Sequence, residues 1–182
     1  MNKRAKRRIK LYGSYAAIVS FVLMGLMLFG ISPFKLAVFG ILIVLGCISR
    51  LYKHFVGISI GFELVTPLTI LFTYSEGILF GILVSSFMFI VSTMLSGSLN
   101  ANAFVVQLGI NVVLVILTGL FGFMPFVPLA VALVVFRNVA LWMSMVFLGG
   151  VDMFKATLAS VPNIFINIFI VSTAGPLLLT IL

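Results

Sequence analysis

The apolar residues of this chain come in seven long runs, and this pattern limits the fold more than any other feature. A helix that crosses the hydrocarbon core of a membrane needs about 20 apolar residues, with a range of about 17–25. The strict alternation typical of transmembrane strands is absent from the runs. They therefore predict membrane-spanning helices. The runs cover residues 11–30, 34–49, 56–74, 77–96, 103–123, 129–148 and 156–182.

The composition excludes the competing fold classes. Hydrophobic residues make up 63% of the 182 residues and charged residues 8%, against about 45–50% and about 25% in a soluble domain. Such a chain has too little polar surface for a globule in water and too many apolar residues for a disordered segment. We expect an all-α membrane protein, a polytopic bundle of six or seven transmembrane helices. The count is six if the short second or third run does not cross.

The basic residues indicate the orientation. Six of the eleven Lys and Arg residues lie within the first ten positions, directly before an apolar run. The positive-inside rule places such a segment in the cytoplasm, where it can also contact anionic lipid headgroups. We therefore expect residues 1–10 to be a basic cytoplasmic segment and residues 11–182 to be a single transmembrane domain, multi-pass in the cell (plasma) membrane. We expect no nucleic-acid partner, because no aromatic residues are interleaved with these basic residues to stack on bases.

The short connections agree with seven spans and an outer C-terminus. With that count the inner connections carry Arg50, Lys53 and Lys155, and the outer ones carry Lys35 and Glu76. An excess of Lys and Arg on the inner side is what the rule requires.

One arginine lies near the middle of the sixth run, where it is costly. Arg137 at the centre of a span costs about 2.5 to 3.5 kcal/mol on insertion scales, so it must face the bundle interior, water or a counter-ion. Glu63, inside the third run, is the first candidate, ahead of Glu76 and Asp152 near helix ends. The interaction could be a structural ion pair or part of a site for an anion or polar solute, or Arg137 could extend to the membrane surface. Asn138 is adjacent but points about 100° away.

Two pairs of amides share helix faces. Gln107 and Asn111, like Asn163 and Asn167, are four residues apart, which places each pair on one side of a helix. Lipid cannot satisfy their hydrogen bonds, so they either hold helices together or line a solute site. The solute-binding candidates are Glu63, Gln107, Asn111, Arg137, Asn138, Asn163 and Asn167.

Small residues four apart predict close helix contacts. Gly77, Gly81 and Ser85 form one such stripe in the fourth run, and Gly13 and Ala17 form a shorter one in the first. These stripes favour helix packing, or docking to another membrane protein.

A pattern G-F-x-x-x-x-P-L occurs twice, at residues 61–68 and 122–129. Paired Gly- and Pro-interrupted segments in two halves of a chain can mark an inverted repeat around a binding site. Chance in a chain rich in Phe and Leu is the alternative.

No set of residues predicts catalysis. The sequence has no Ser/His/Asp set, no Cys–His pair and no phosphate-binding glycine loop. A single cysteine, Cys47, and a single histidine, His54, exclude a multi-His metal centre. We expect neither an enzyme nor a bound metal or cofactor.

The stretch Gly61-Phe62-Glu63-Leu64-Val65-Thr66-Pro67-Leu68-Thr69-Ile70, followed by Gly77-x-x-x-Gly81-x-x-x-Ser85, resembles the second and third helices of S components. These are the substrate-binding membrane subunits of energy-coupling-factor transporters. The last run, with Asn163 and Asn167, is similar in style. A second, weaker resemblance is to MreD, a membrane protein of the bacterial rod-shape complex.

The first resemblance implies a subunit that binds a small solute, a vitamin or a metal ion, within its helical bundle and takes part in its uptake. It also implies docking to a partner membrane subunit driven by cytoplasmic ATPases, with Glu63, Arg137, Asn163 and Asn167 as solute contacts. The second implies a non-catalytic scaffold that docks other membrane proteins.

Overall fold

The computed structural model describes residues 32–51, 63–96 and 101–182, and these residues form helices and short connections without strands. A π-helical turn, Ser144–Leu148, directly continues the fifth helix. The helices are α1 (Pro33–Ile48), α2 (Val65–Glu76), α3 (Ile78–Leu95), α4 (Ala101–Leu120), α5 (Phe126–Met143) and α6 (Met153–Ile181).

Four of the described helices are long and apolar enough to cross a membrane. They are α3, most of α4, α5 with its π-helical turn, and α6, and the shorter α1 is also apolar. The predicted all-helical, membrane-embedded fold is confirmed at this level, but the four such helices are fewer than the six or seven expected. The first predicted span, 11–30, lies outside the described residues.

The third predicted span differs most from expectation. Only Val65–Glu76 of the described part is helical, and twelve residues rise about 18 Å, short of the roughly 30 Å hydrocarbon core. Pro67 is the third residue of α2, where the backbone N–H groups have no partner within the helix, so a proline is tolerated. Every residue from Val65 to Thr73 is buried. Helices α3, α4, α5 and α6 pack around α2.

A single residue, Gly77, joins α2 to α3. Its φ of +89° is a left-handed conformation that glycine adopts without steric cost. The expectation that Gly77 belongs to the small-residue stripe of α3 is therefore wrong, because it lies between the two helices. Gly81 does pack as expected, since a Cβ there would collide with Thr73 of α2, and Ser85 is buried. Gly13 and Ala17 lie outside the described residues.

Helices α5 and α6 pack side by side in opposite directions. The indole N–H of Trp142, late in α5, donates to Thr157 Oγ1 early in α6 at 3.1 Å. At the other end, a Cβ on Gly175 of α6 would collide with Phe126, the first residue of α5. Asp152, considered above as a counter-ion, caps α6 by accepting from two of its backbone N–H groups at 3.0 and 3.2 Å.

The repeated G-F-x-x-x-x-P-L pattern coincides with two helix starts. Pro67 and Pro128 are each the third residue of a helix, α2 and α5, and the leucines that follow, Leu68 and Leu129, are both buried. Helix initiation gives this pattern a local physical reason. The inverted repeat stays a prediction.

The chain divides into two compact units, Met1–Ile41 and Leu42–Leu182. In the described part of the first, Ser32 Oγ accepts from the backbone N–H of Lys35 at 3.2 Å, and the Lys35 ammonium lies 6.0 Å from the Phe39 ring centroid. All the site residues described below belong to the second unit.

Candidate solute-binding site

A buried cluster of three charged residues lies inside the second unit. Glu63 Oε1 accepts from Arg50 Nη2 at 2.5 Å and from Arg137 Nη2 at 2.8 Å. Its other oxygen, Oε2, accepts from Arg137 Nη1 at 3.4 Å. Only 4% of Arg50, 5% of Glu63 and 1% of Arg137 is exposed. The structure thus confirms Glu63 as the counter-ion of Arg137.

Sequence reasoning missed Arg50. It follows α1, and a basic residue at the end of an apolar run equally fits the positive-inside rule. In the structure its Nη1 also donates to Thr93 Oγ1 at 3.2 Å. Its guanidinium lies 5.1 Å from the Phe89 ring centroid, within cation–π range. The shortness of the second run was the one available signal that Arg50 lies inside the bundle.

The three residues carry one more positive charge than negative. Arginine keeps its charge in proteins, so two guanidinium groups share one carboxylate. In addition, the Nε atoms of Arg50 and Arg137 have no hydrogen-bond partner among the described residues. Burying a charge without full compensation is costly. These buried hydrogen-bond donors, with their excess positive charge, can bind an anionic group.

Contacts at both ends of α2 fix the depth of the cluster. At its C-terminal end, the Tyr74 hydroxyl donates to the Met124 carbonyl at 3.0 Å, and the Tyr74 ring lies 5.2 Å from that of Phe126. Tyr74 is eleven positions after Glu63, and Arg137 is eleven positions after Phe126, a rise of about 16 Å along α5. Helices α2 and α5 are therefore antiparallel, and Arg137 lies midway along the helical segment Phe126–Leu148.

A ladder of asparagines joins α5 to α6 on another side of Arg137. The Asn167 amide donates to Asn163 Oδ1 at 3.0 Å, and the Asn163 amide donates to Asn138 Oδ1 at 2.7 Å. The Asn138 amide donates to the Val134 carbonyl at 2.8 Å within α5. As expected from their angular separation, Arg137 and Asn138 face different neighbours, α2 and α6.

The two members of the predicted amide pair Gln107 and Asn111 differ in burial. Asn111 is 1% exposed, and neither its Nδ2 nor its Oδ1 has a hydrogen-bond partner within the described part of the chain. Gln107 is only half-buried. Two α2 hydroxyls, Thr66 Oγ1 and Thr69 Oγ1, are likewise buried and unpartnered there. Each such group costs about 1–3 kcal/mol, so this polar set needs a physical explanation.

The structure thus places Glu63 with Arg137, and joins Asn138, Asn163 and Asn167. Within the described residues Asn111 forms no hydrogen bond with either group, and the structure does not join the half-buried Gln107 to them. Across residues 32–51, 63–96 and 101–182, no three His, Cys, Asp or Glu side chains are grouped to hold a metal ion. The sequence matches no family model and no curated protein, and no solved structure matches the chain.

Proposed function

We propose that this chain is an integral membrane subunit that binds a small anionic solute within its helical bundle and takes part in its uptake, in the manner of the S components it resembles. The observation that carries the proposal is the excess positive charge of the buried Arg50–Glu63–Arg137 cluster at mid-depth. A carboxylate or phosphate group there would supply the missing negative charge and accept from the unpartnered Nε donors.

Unpartnered polar groups nearby favour a solute over a purely structural role. A packing contact gains most when every buried polar atom is paired. In the described part of the chain, the asparagine ladder meets this condition at all but the Oδ1 of Asn167, whereas Asn111, Thr66 and Thr69 do not. A ligand with its own donors and acceptors would pair them.

The proposal includes a topology and a partner. We infer six or seven spans in the plasma membrane, with the N-terminus in the cytoplasm. Uptake would require a second membrane subunit driven by an ATPase. A reporter fused to the C-terminus tests the seven-span form, which places that end outside the cell. A reporter that is active in the cytoplasm would contradict it.

Co-purification tests the binding function directly. The protein is extracted from its native membrane, and retained small molecules are identified by mass spectrometry for the wild type and for Arg50→Gln. The variant keeps the Arg137–Glu63 pair and removes the surplus charge. We expect a folded variant that has lost an anionic solute. A wild type that retains none, even from membranes loaded with a broad mixture of metabolites, would contradict the proposal.

A scaffold of the MreD type is the second candidate function. It is favoured because the cluster joins three separate segments: the turn after α1, the segment before α2 and the middle of α5. For a scaffold, Arg50→Gln would lower the stability and change the co-purifying membrane proteins, with no solute in either sample.

A further inference from the structure

A pocket of about 530 Å³ opens where the α2–α3 turn meets the end of α4. Its deepest polar residues are Thr73 and Thr118, which are 1% and 0% exposed. Both hydroxyls are satisfied within their own helices, because they donate to the Thr69 and Leu114 carbonyls, each at 2.7 Å. The pocket lining is Thr73, Tyr74, Glu76, Gly77, Ile78, Leu79, Thr118, Gly119 and Gly122.

Helices α2 and α4 both end at this pocket and pack against each other, so they approach it in the same direction. Seven residues before Thr73 is Thr66, and seven residues before Thr118 is Asn111. Seven residues make almost two full turns and a rise of about 10 Å. Thr66 and Asn111 therefore lie at a similar depth below the pocket, each on the face that its pocket threonine presents.

The hydrogen bonding changes between these two depths. The pocket threonines are satisfied, whereas both polar atoms of Asn111 and the hydroxyls of Thr66 and Thr69 have no partner among residues 32–51, 63–96 and 101–182. All three deeper residues are at most 1% exposed. Two hydroxyls and an amide can together donate to and accept from a hydroxyl or an amide of a ligand.

The charged cluster is close to this set. Glu63, which holds both arginines, is three residues before Thr66, in the segment that leads into α2, so at most about 11 Å of extended chain separates them. One small molecule could therefore contact both places.

Building on the proposed function, we propose that Thr66, Thr69 and Asn111 form a subsite for a hydroxyl or amide group of the solute. The solute is then a small organic anion that carries this group a few ångströms from its charge, and it enters through the pocket at the α2–α3 turn.

Paired ligands test the subsite on the purified full-length protein. Binding of 3-hydroxybutyrate is compared with that of butyrate, which lacks only the hydroxyl, by calorimetry. We expect the hydroxy acid to bind about tenfold more tightly, as one well-placed hydrogen bond allows. We expect the difference to vanish in Asn111→Leu and in the near-isosteric Thr66→Val. Thr173→Val, which removes an exposed α6 hydroxyl, is the matched control. It should keep the tenfold difference in affinity between the two acids.

The outcomes separate the two proposals. If neither carboxylate binds the wild type, the anion site of the proposed function fails, and the subsite fails with it. If both bind equally, or if Asn111→Leu keeps the tenfold difference, the subsite alone is wrong.

A second variant tests the entry route. Gly122 lines the pocket and is exposed, so Gly122→Trp should obstruct the mouth without touching the deeper residues. We expect association of 3-hydroxybutyrate to slow at least tenfold, and an unchanged association rate would overturn the route.

Discussion

Glu63 and Arg137 are 74 positions apart in the sequence, yet Arg137 Nη2 donates to Glu63 Oε1 at 2.8 Å with both residues buried. The contact joins the segment just before α2 to the middle of α5. In apolar surroundings neither charge has water as an alternative partner, so each depends on the other. Four predictions on folding follow from this and neighbouring contacts.

Replacing Glu63 by glutamine should be strongly destabilising. Glu63→Gln leaves two buried guanidinium groups without their carboxylate, and breaking a buried pair in this way costs about 3–5 kcal/mol. The measurement is the free energy of unfolding in detergent. Glu76→Gln, at the half-buried C-terminal end of α2, is the control and should cost less than half as much. Equal costs would contradict the role given to the cluster.

Removing both partners should cost less than the sum of the single changes. In a double-mutant cycle, Glu63→Leu leaves two buried guanidinium groups unpaired, whereas Arg137→Leu leaves the Arg50–Glu63 pair. The double variant leaves only Arg50 unpaired, so Arg137→Leu relieves part of the cost of Glu63→Leu. We expect a coupling energy above about 1 kcal/mol, within the range for contacting residues. Additive losses would mean that the 2.8 Å contact contributes nothing measurable.

Two asparagine replacements should have different effects on the stability of the ligand-free protein. Asn138→Leu leaves the Asn163 amide without its acceptor and should destabilise the protein by about 1–2 kcal/mol. Asn111→Leu removes an amide that has no partner in the described structure and should leave the ligand-free protein equally or more stable. Thermal unfolding without ligand measures both, and a large loss for Asn111→Leu would show that its amide is paired.

Alanine at two helical glycines should also have opposite effects. A Cβ at Gly81 would collide with Thr73, whereas one at Gly109 has nothing within 4 Å. Gly81→Ala should cost about 1–3 kcal/mol through overpacking. Gly109→Ala should raise the free energy of unfolding by about 0.4–1 kcal/mol, because alanine restricts the unfolded chain more than glycine does. Equal melting temperatures for the two variants would contradict the close α2–α3 contact.

The sequence predicted most of the helices because each apolar run is bounded by polar or Gly/Pro-rich breaks. It also placed Glu63 first among the candidate counter-ions of Arg137, because only three acidic residues are present in the chain. The limits of α2 could not be predicted in this way. Hydropathy does not distinguish Pro67 within a span from Pro67 in the first turn of a shorter helix.

Arg50 shows a second limit of sequence reasoning. A basic residue beside an apolar run fits the positive-inside rule whether it contacts headgroups or a buried carboxylate. Only the packing of α1, α2 and α3 decides, because it brings Glu63 and Thr93 within reach of one guanidinium. The different burial of Asn111 and Gln107 has the same cause. Their spacing predicts a shared helix face, but it does not predict which helix packs against each residue.

The length of α2 determines the depth at which the negative charge of Glu63 lies in the bundle. Tyr74 anchors one end beside Met124, so the number of residues between Tyr74 and Glu63 sets how far the carboxylate reaches into the bundle. One inserted residue would move it by about 1.5 Å and turn it by about 100°, away from both arginines. Homologous chains that keep this cluster should therefore vary in loop length far more readily than in the length of this helix.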